Sequence, residues 1–131
     1  MNSKCVGDIS ESAVLAALIA NGKNVLMPFG DKNRYDLVVE ENGRFRRLQV
    51  KTGRLRDGVI MFSTHSSTRQ KGQRVETSYA GQIEEFAVYC LETKEVYLVP
   101  IEECGHTRVQ LRVNSPKLSN KRIKQASKYR L

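Results

Sequence analysis

The sequence predicts an α/β fold, a central mixed sheet flanked by α-helices, and three observations predict it. Near the N-terminus Val14, Leu15 and Leu18 recur at helical spacing, and shorter apolar or alternating runs follow, separated by turn residues. Two of those runs flank Asn42-Gly43, the strongest short hairpin signal that a sequence offers. At 131 residues, with 40% hydrophobic and 27% charged residues, the chain has the size and composition of a single folded domain.

The first element is a helix from about Ile9 to Ala20, with Asp8 as its cap, Glu11 as the capping-box partner and Asn21-Gly22 as its stop. Glu11 stands three, four and seven residues before Val14, Leu15 and Leu18, so it points along the apolar face. A short strand, Val25 to Met27, leads into the turn-like Pro28-Phe29-Gly30-Asp31. Tyr35 to Glu40 and Arg44 to Lys51 form the hairpin. With Asn42-Gly43 as a two-residue loop, Glu41 pairs with Arg44, Asp36 lies opposite Gln49, and Lys51 projects from the same face one pleat along. Leu37, Val39, Leu48 and Val50 then face the core. A bulged turn would shift this pairing by one residue.

Val59 to Ser63 is a third strand. Thr64 to Arg74 has no periodicity and no apolar anchor, which predicts a mobile loop. A weaker helical stretch, Tyr79 to Ile83, precedes two strands, Phe86 to Leu91 and Val96 to Val99. Pro100 ends that pair, Ile101 to Cys104 forms one helical turn, and Thr107 to Val113 is the last strand. From Lys117 to Leu131 the tail carries Lys117, Lys121, Arg122, Lys124, Lys128 and Arg130 without an acidic residue, a basic arm expected to become helical when bound.

A formal net charge of +8 on so short a chain attracts polyanions, nucleic acid first and anionic membrane second. No apolar run approaches the roughly 20 residues of a membrane span, and MNSKCVGDISES has no signal-peptide pattern, so a soluble cytoplasmic protein without a membrane partner is expected. Cys5, Cys90 and Cys104 have no CxxC spacing, and His65 and His106 are the only histidines, which argues against disulfides and thiolate or imidazole metal sites. Any metal is therefore expected on oxygen ligands, which favours Mg²⁺, with Mn²⁺ able to substitute.

Cleaving a phosphodiester needs an activated water, a Lewis acid and positive charge for the pentavalent transition state. Asp36, Gln49 and Lys51 on one hairpin face offer a carboxylate, an amide oxygen and an ammonium, and Glu11 can add a second carboxylate. Asp is disfavoured within strands, and a buried carboxylate needs a partner, which marks Asp36 as functional.

At these residues the sequence resembles the PD-(D/E)xK nuclease superfamily: Tyr35-Asp36, then a hairpin, then Gln49-Val50-Lys51, with Glu11 matching the helical glutamate of many members. Tyr35 stands in place of the name-giving proline and Gln49 in place of the usual acid. The Gln-x-Lys variant, the small size, the helix-first order and the block from Tyr79 to Pro100 resemble the homing endonucleases encoded by group I introns. The resemblance implies a restriction-endonuclease-like core spanning the chain and Mg²⁺-dependent hydrolysis of double-stranded DNA, with no small-molecule substrate. Glu11, Asp36 and Gln49 are then the metal ligands, and Lys51 positions the water. It also implies a homodimer or homotetramer, because one such site cuts one strand.

DNA contact is expected from Arg44, Arg46, Arg47, Arg54 and Arg56 beside the site, and from Lys121, Arg122 and Lys124 in the tail. Between them lies the polar segment with Ser63, His65, Arg69, Gln70, Lys71, Gln73 and Arg74, where Arg and Gln suit bidentate base contacts. Two alternatives share these residues: a junction-resolving, structure-selective nuclease, and a non-catalytic DNA- or RNA-binding module.

Overall fold

The computed structural model describes residues 1–105, 108–114 and 123–131. Helix α1 (Ser3–Ala20) begins before the predicted Ile9 because Asn2 supplies the cap. The Asn2 backbone is extended, and its side-chain oxygen accepts the Cys5 N–H at 2.9 Å. Asp8 and Glu11 therefore lie inside the helix, and neither is a cap or capping-box residue. At the other end the Asn21 side chain donates to the Ala17 carbonyl at 2.8 Å, and Gly22, at φ +75°, turns the chain out.

The strands are β1 (Asn24–Leu26), β2 (Leu37–Glu41), β3 (Arg44–Arg56), β4 (Val59–Ser63), β5 (His65–Gln70), β6 (Gln73–Ser78), β7 (Glu85–Cys90), β8 (Glu95–Pro100), β9 (Arg108–Arg112) and β10 (Lys124–Gln125). Among the described residues eight of them form one mixed sheet, β1-β2-β3-β4-β9-β10, from which β7 branches by pairing with β3 and β8 by pairing with β7. The β3–β7 and β9–β10 pairs are parallel and the rest antiparallel. β5 and β6 form a separate two-stranded ribbon.

The first hairpin has the predicted register, Glu41 opposite Arg44 and Leu37 opposite Leu48. Asn42 at φ 54° and Gly43 at φ 79° give the doubly left-handed turn that matches strand twist. β3 continues past Lys51 to Arg56 and serves as the spine, contacting β2, β7 and β4 along its length. Gly53 makes the crossing possible: a Cβ there would lie 2.8 Å from Ile60 Cγ2 and 2.9 Å from Val88 Cγ1.

Alternation along β3 separates two cores. Leu48 and Val50 pack with Val14 and Leu18 of α1 and with Leu37, Val39, Ala87 and Val96. The opposite face of the sheet, reached by Phe86, Val88 and Cys90 of β7, joins Ile60, Phe62, Tyr79, Ile83, Val109 and Leu111. Each fully buried Leu, Val or Phe contributes about 1.5–3 kcal/mol. Gln49 and Lys51 pair in register with Phe86 and Val88, and so share this second face.

Three expectations are corrected. The predicted loop at Thr64–Arg74 is largely the β5–β6 hairpin, with Lys71 and Gly72 at φ 51° and 77° repeating the turn of Asn42-Gly43. Its residues are polar on both faces, so no hydrophobic alternation advertised it. Tyr79–Ile83 is a turn rather than a helix: Gln82 donates to the Tyr79 carbonyl at 2.9 Å, and Gly81 at φ +76° stops any further winding. The tail is not a free arm where it is described. Lys124–Gln125 pairs with β9, and the four-residue helix α2 (Ala126–Tyr129) buries Ala126 and Tyr129 against the second core, so apolar anchors, not charge, decide its path. Lys117, Lys121, Arg122 and His106 lie outside the described residues. No described helix is long and apolar enough to cross a membrane.

Candidate active site

Asp36 immediately precedes β2, so the predicted strand from Tyr35 and the predicted Asp36–Gln49 pair do not form, and the chain holds Asp36 instead by two other bonds to β3. Its N–H donates to the Leu48 carbonyl at 2.9 Å, and its Oδ2 accepts the Val50 N–H at 2.9 Å. The carboxylate is thus fastened to the strand that carries Gln49 and Lys51. Burial raises its pKa, while the Val50 N–H and the Lys51 ammonium pull the other way.

Glu11 arrives from α1 and lines the same cleft as Asp36, a cavity of about 250 Å³ that also touches Met27, Asn33 and Tyr35. Its pKa is raised by burial first and then by the negative charges of Asp36 and Asp8. Ser10, beside it and 1% exposed, hydrogen-bonds Thr52 at 2.6 Å and ties this part of α1 to β3. The helix is thereby fixed against the strand that bears Lys51.

Lys51 is half-buried, and its Nζ donates to the His65 carbonyl at 3.0 Å and lies 3.5 Å from the Tyr79 hydroxyl. Burial lowers its pKa, Asp36 raises it, and Arg34 lowers it further. Gln49, two residues earlier on the same strand face, turns its amide nitrogen toward the Val50 carbonyl at 3.3 Å. The structure therefore brings Asp36 within electrostatic reach of both Glu11 and Lys51, with Gln49 beside Lys51 by register.

The chemistry of this donor set can be tested against an oxygen-loving divalent cation. Glu11 and Asp36 repel each other in a partly buried cleft, and both are pushed toward the protonated form, which is the condition a cation relieves. Among the described residues no group of three or more His, Cys, Asp and Glu is placed to hold a metal ion; the cleft offers the Glu11 and Asp36 carboxylates, with Asp31 also on its lining, and Gln49 adds an amide nearby by register. They fit a hard cation that keeps several water ligands.

The predicted DNA-contact residues divide by their partners. Arg46 bonds Glu41 at 3.0 Å and Glu85 at 2.7 Å, and Arg47 makes a forked pair with Glu84, so these guanidinium groups hold β3 to its neighbours. Arg44 and Arg56 are exposed, and Arg54 lies 3.8 Å from Glu92. On the β5–β6 hairpin Arg69, Gln70, Lys71, Gln73 and Arg74 are all exposed. Arg74 bonds Ser67 at 3.1 Å, and His65 Nε2 lies 3.3 Å from Glu76. Ser63 donates to the His65 carbonyl at 3.1 Å. Lys124 is half-buried in β10.

The model of the PD-(D/E)XK endonuclease family matches residues 1–131. The chain belongs to the PD-(D/E)XK endonucleases. Among solved structures this PD-(D/E)XK endonuclease is similar to a bacterial homing endonuclease, I-Ssp6803I, with 25% sequence identity and a TM-score of 0.78 over 99% of this chain and 89% of the other. No curated protein matches the sequence.

Two residues of the site carry no signal in the sequence. Arg34, in the connection before β2, stacks 4.0 Å from the centroid of the Tyr79 ring, and Tyr79, 4% exposed, sits against Lys51. Arg34 falls in no recognisable pattern, and Tyr79 enters only as the first residue of the Tyr79–Pro100 block, because their contacts run through the β5–β6 hairpin and the 79–82 turn, whose structure the sequence does not disclose.

Proposed function

We propose that this PD-(D/E)XK endonuclease hydrolyses double-stranded DNA with Mg²⁺, cutting at a specific site as a homing enzyme does. The observation that carries the proposal is the fastening of Asp36 to β3 beside Lys51, with Glu11 facing the same cleft. Glu11, Asp36 and the Gln49 amide oxygen would hold the cation, which supplies Lewis acidity and an acidified water. Asp36 fixes the geometry through its bond to the Val50 N–H. Lys51 orients the attacking water and stabilises the phosphorane charge, held in place by the His65 carbonyl and Tyr79. The exposed Arg and Gln side chains of β5 and β6, with Lys71 in the turn between them, suit groove contact, and a two-stranded ribbon fits the major groove.

Likeness to I-Ssp6803I across nearly the whole chain supports site-specific over junction-selective cutting. Cutting both strands calls for two sites related by symmetry, so a homodimer or homotetramer is part of the proposal.

The test is Mg²⁺-dependent cleavage of a pooled duplex library, with four-way junctions added, by wild type, Asp36→Ala and Lys51→Ala. A discrete duplex cut absent from both variants supports the proposal. Binding without cleavage in Mg²⁺ or Mn²⁺ rejects it, and cutting of junctions alone moves the assignment to a structure-selective nuclease.

A further inference from the structure

Arg34 makes more directed contacts than any metal-site candidate, and the cleavage chemistry described above does not use it. Its Nε donates to Gln82 Oε1 at 2.6 Å, its Nη1 to Ser66 Oγ at 2.7 Å, and its Nη2 to the Ser78 carbonyl at 3.0 Å. Those acceptors belong to three segments: β5, the end of β6, and the 79–82 turn. The guanidinium plane also packs 4.0 Å from the Tyr79 ring centroid, and the Lys51 ammonium lies 4.9 Å from the same centroid. Lys51's two polar contacts, the His65 carbonyl and the Tyr79 hydroxyl, come from the first residue of β5 and from the turn. Both are parts that Arg34 binds together.

The β5–β6 ribbon has little else to hold it. Among the described residues its strands pair only with each other, and of its side chains His65, Ser66 and Val75 alone are even partly buried. A two-stranded ribbon without an apolar face is marginal in water. A planar fork reaching three acceptors supplies the missing anchor, and a lysine could not reproduce it.

We propose that Arg34 is a positioning residue that clamps the β5–β6 hairpin onto the 79–82 turn and thereby fixes the two groups that hold the Lys51 ammonium. Engagement of the hairpin by DNA is then mechanically linked to the placement of Lys51. The consequence for cleavage rests on the proposed nuclease function, whereas the clamp itself does not.

The experiment compares the full-length wild type with Arg34→Ala and Arg34→Lys by two readouts that need no substrate, and by one that does. Trypsin cleavage after Arg69, Lys71 and Arg74 reports hairpin opening, and acetylation of Lys51 followed by mass spectrometry reports its confinement. Both should rise on the order of tenfold in Arg34→Ala, as expected for losing a charged hydrogen-bond network. Arg34→Lys, which keeps the charge and disturbs packing least, should resemble Arg34→Ala, and methylguanidinium should partly restore Arg34→Ala. On supercoiled plasmid carrying the duplex site that the pooled library identifies, in Mg²⁺, the single-turnover rate should fall while DNA affinity holds. Unchanged proteolysis, an opened hairpin with Lys51 still protected, or full restoration by Arg34→Lys would each overturn the proposal. Inactive wild type with both substrate-free readouts moving as expected would overturn the nuclease assignment and leave the clamp standing.

Discussion

The Asp36 carboxylate accepts the Val50 N–H at 2.9 Å, so the backbone of β3 itself aims the acid that precedes β2. One oxygen is thereby committed to the strand, and Asp36 lines the same cleft as Glu11.

Asp36→Asn should separate charge from geometry. The amide oxygen can keep the Val50 bond, but cleavage should fall on the order of 10³-fold because the amide is a poor cation ligand. Stability should move the other way. A carboxylate whose folded pKa lies above its ordinary 3.8 binds its proton more tightly in the native state. Stability is therefore lost as pH rises from there through the folded value, and it stays lost at neutrality. In metal-free buffer at neutral pH the variant should melt on the order of a few °C higher than wild type, with the gain shrinking as pH falls toward 4. Mg²⁺ should raise the melting temperature of wild type and not of Asp36→Asn. Calorimetry across pH, with and without Mg²⁺, checks all three.

Lys51→Met preserves length and removes the ammonium. DNA affinity should change little, while cleavage drops on the order of 10²–10⁴-fold, as for loss of a positioned acid–base or charge-stabilising group. The lowered folded pKa of Lys51 means that the charged form costs stability below that value, a cost that fades as pH rises toward 10.5. The variant should thus fold at least as well as wild type near neutrality, which equilibrium urea unfolding measures.

Gly53→Ala should destabilise by about 1–3 kcal/mol, since its Cβ would meet Ile60 and Val88 inside van der Waals distance in a filled core. The urea midpoint should drop without a change in slope. A silent substitution would show that β4 and β7 can separate over β3.

Arginines beside the site should sort into two kinds. Arg47→Ala leaves the Glu84 carboxylate without its fork and should lower stability, with little effect on the salt dependence of DNA binding. Arg74→Ala and Lys71→Ala on the exposed hairpin should each reduce the slope of log affinity against log salt by roughly 0.9 per lost phosphate contact. Fluorescence anisotropy over a salt series separates the two classes.

Legibility in the sequence followed local chemistry. Asn42-Gly43 sets a register, and that register puts Leu37, Leu48 and Val50 on the core face and Gln49 and Lys51 on the other, whereas Asp36 lies outside the paired strand and is held instead by its own bonds to Leu48 and Val50. The turn at Lys71-Gly72 has the same backbone, but its flanking strands bury almost nothing, so no alternation marked them. Helix α1 was placed correctly through Val14 and Leu18, while its start was missed because Asp8 is as good a cap by type as Asn2, and only geometry chooses. Arg46 and Arg47 looked like part of a phosphate-binding surface because their partners Glu84 and Glu85 are distant in sequence and reach them through the parallel β3–β7 pairing. The roles of Arg34 and Tyr79 depend on long-range contacts of this kind, which no spacing rule encodes.

Because β3 sends Leu48 and Val50 into one core while Gln49 and Lys51 face the other side, its even and odd positions answer to different demands. Variation at even positions tunes how firmly the scaffold holds. Variation at Gln49 and Lys51 changes the candidate active site, where Lys51 meets His65 and Tyr79. The two sets stay apart only while the strand neither gains nor loses a residue. A one-residue insertion between Leu48 and Lys51 would flip the residues that follow it, putting an ammonium under helix α1. The strand is therefore intolerant of length change.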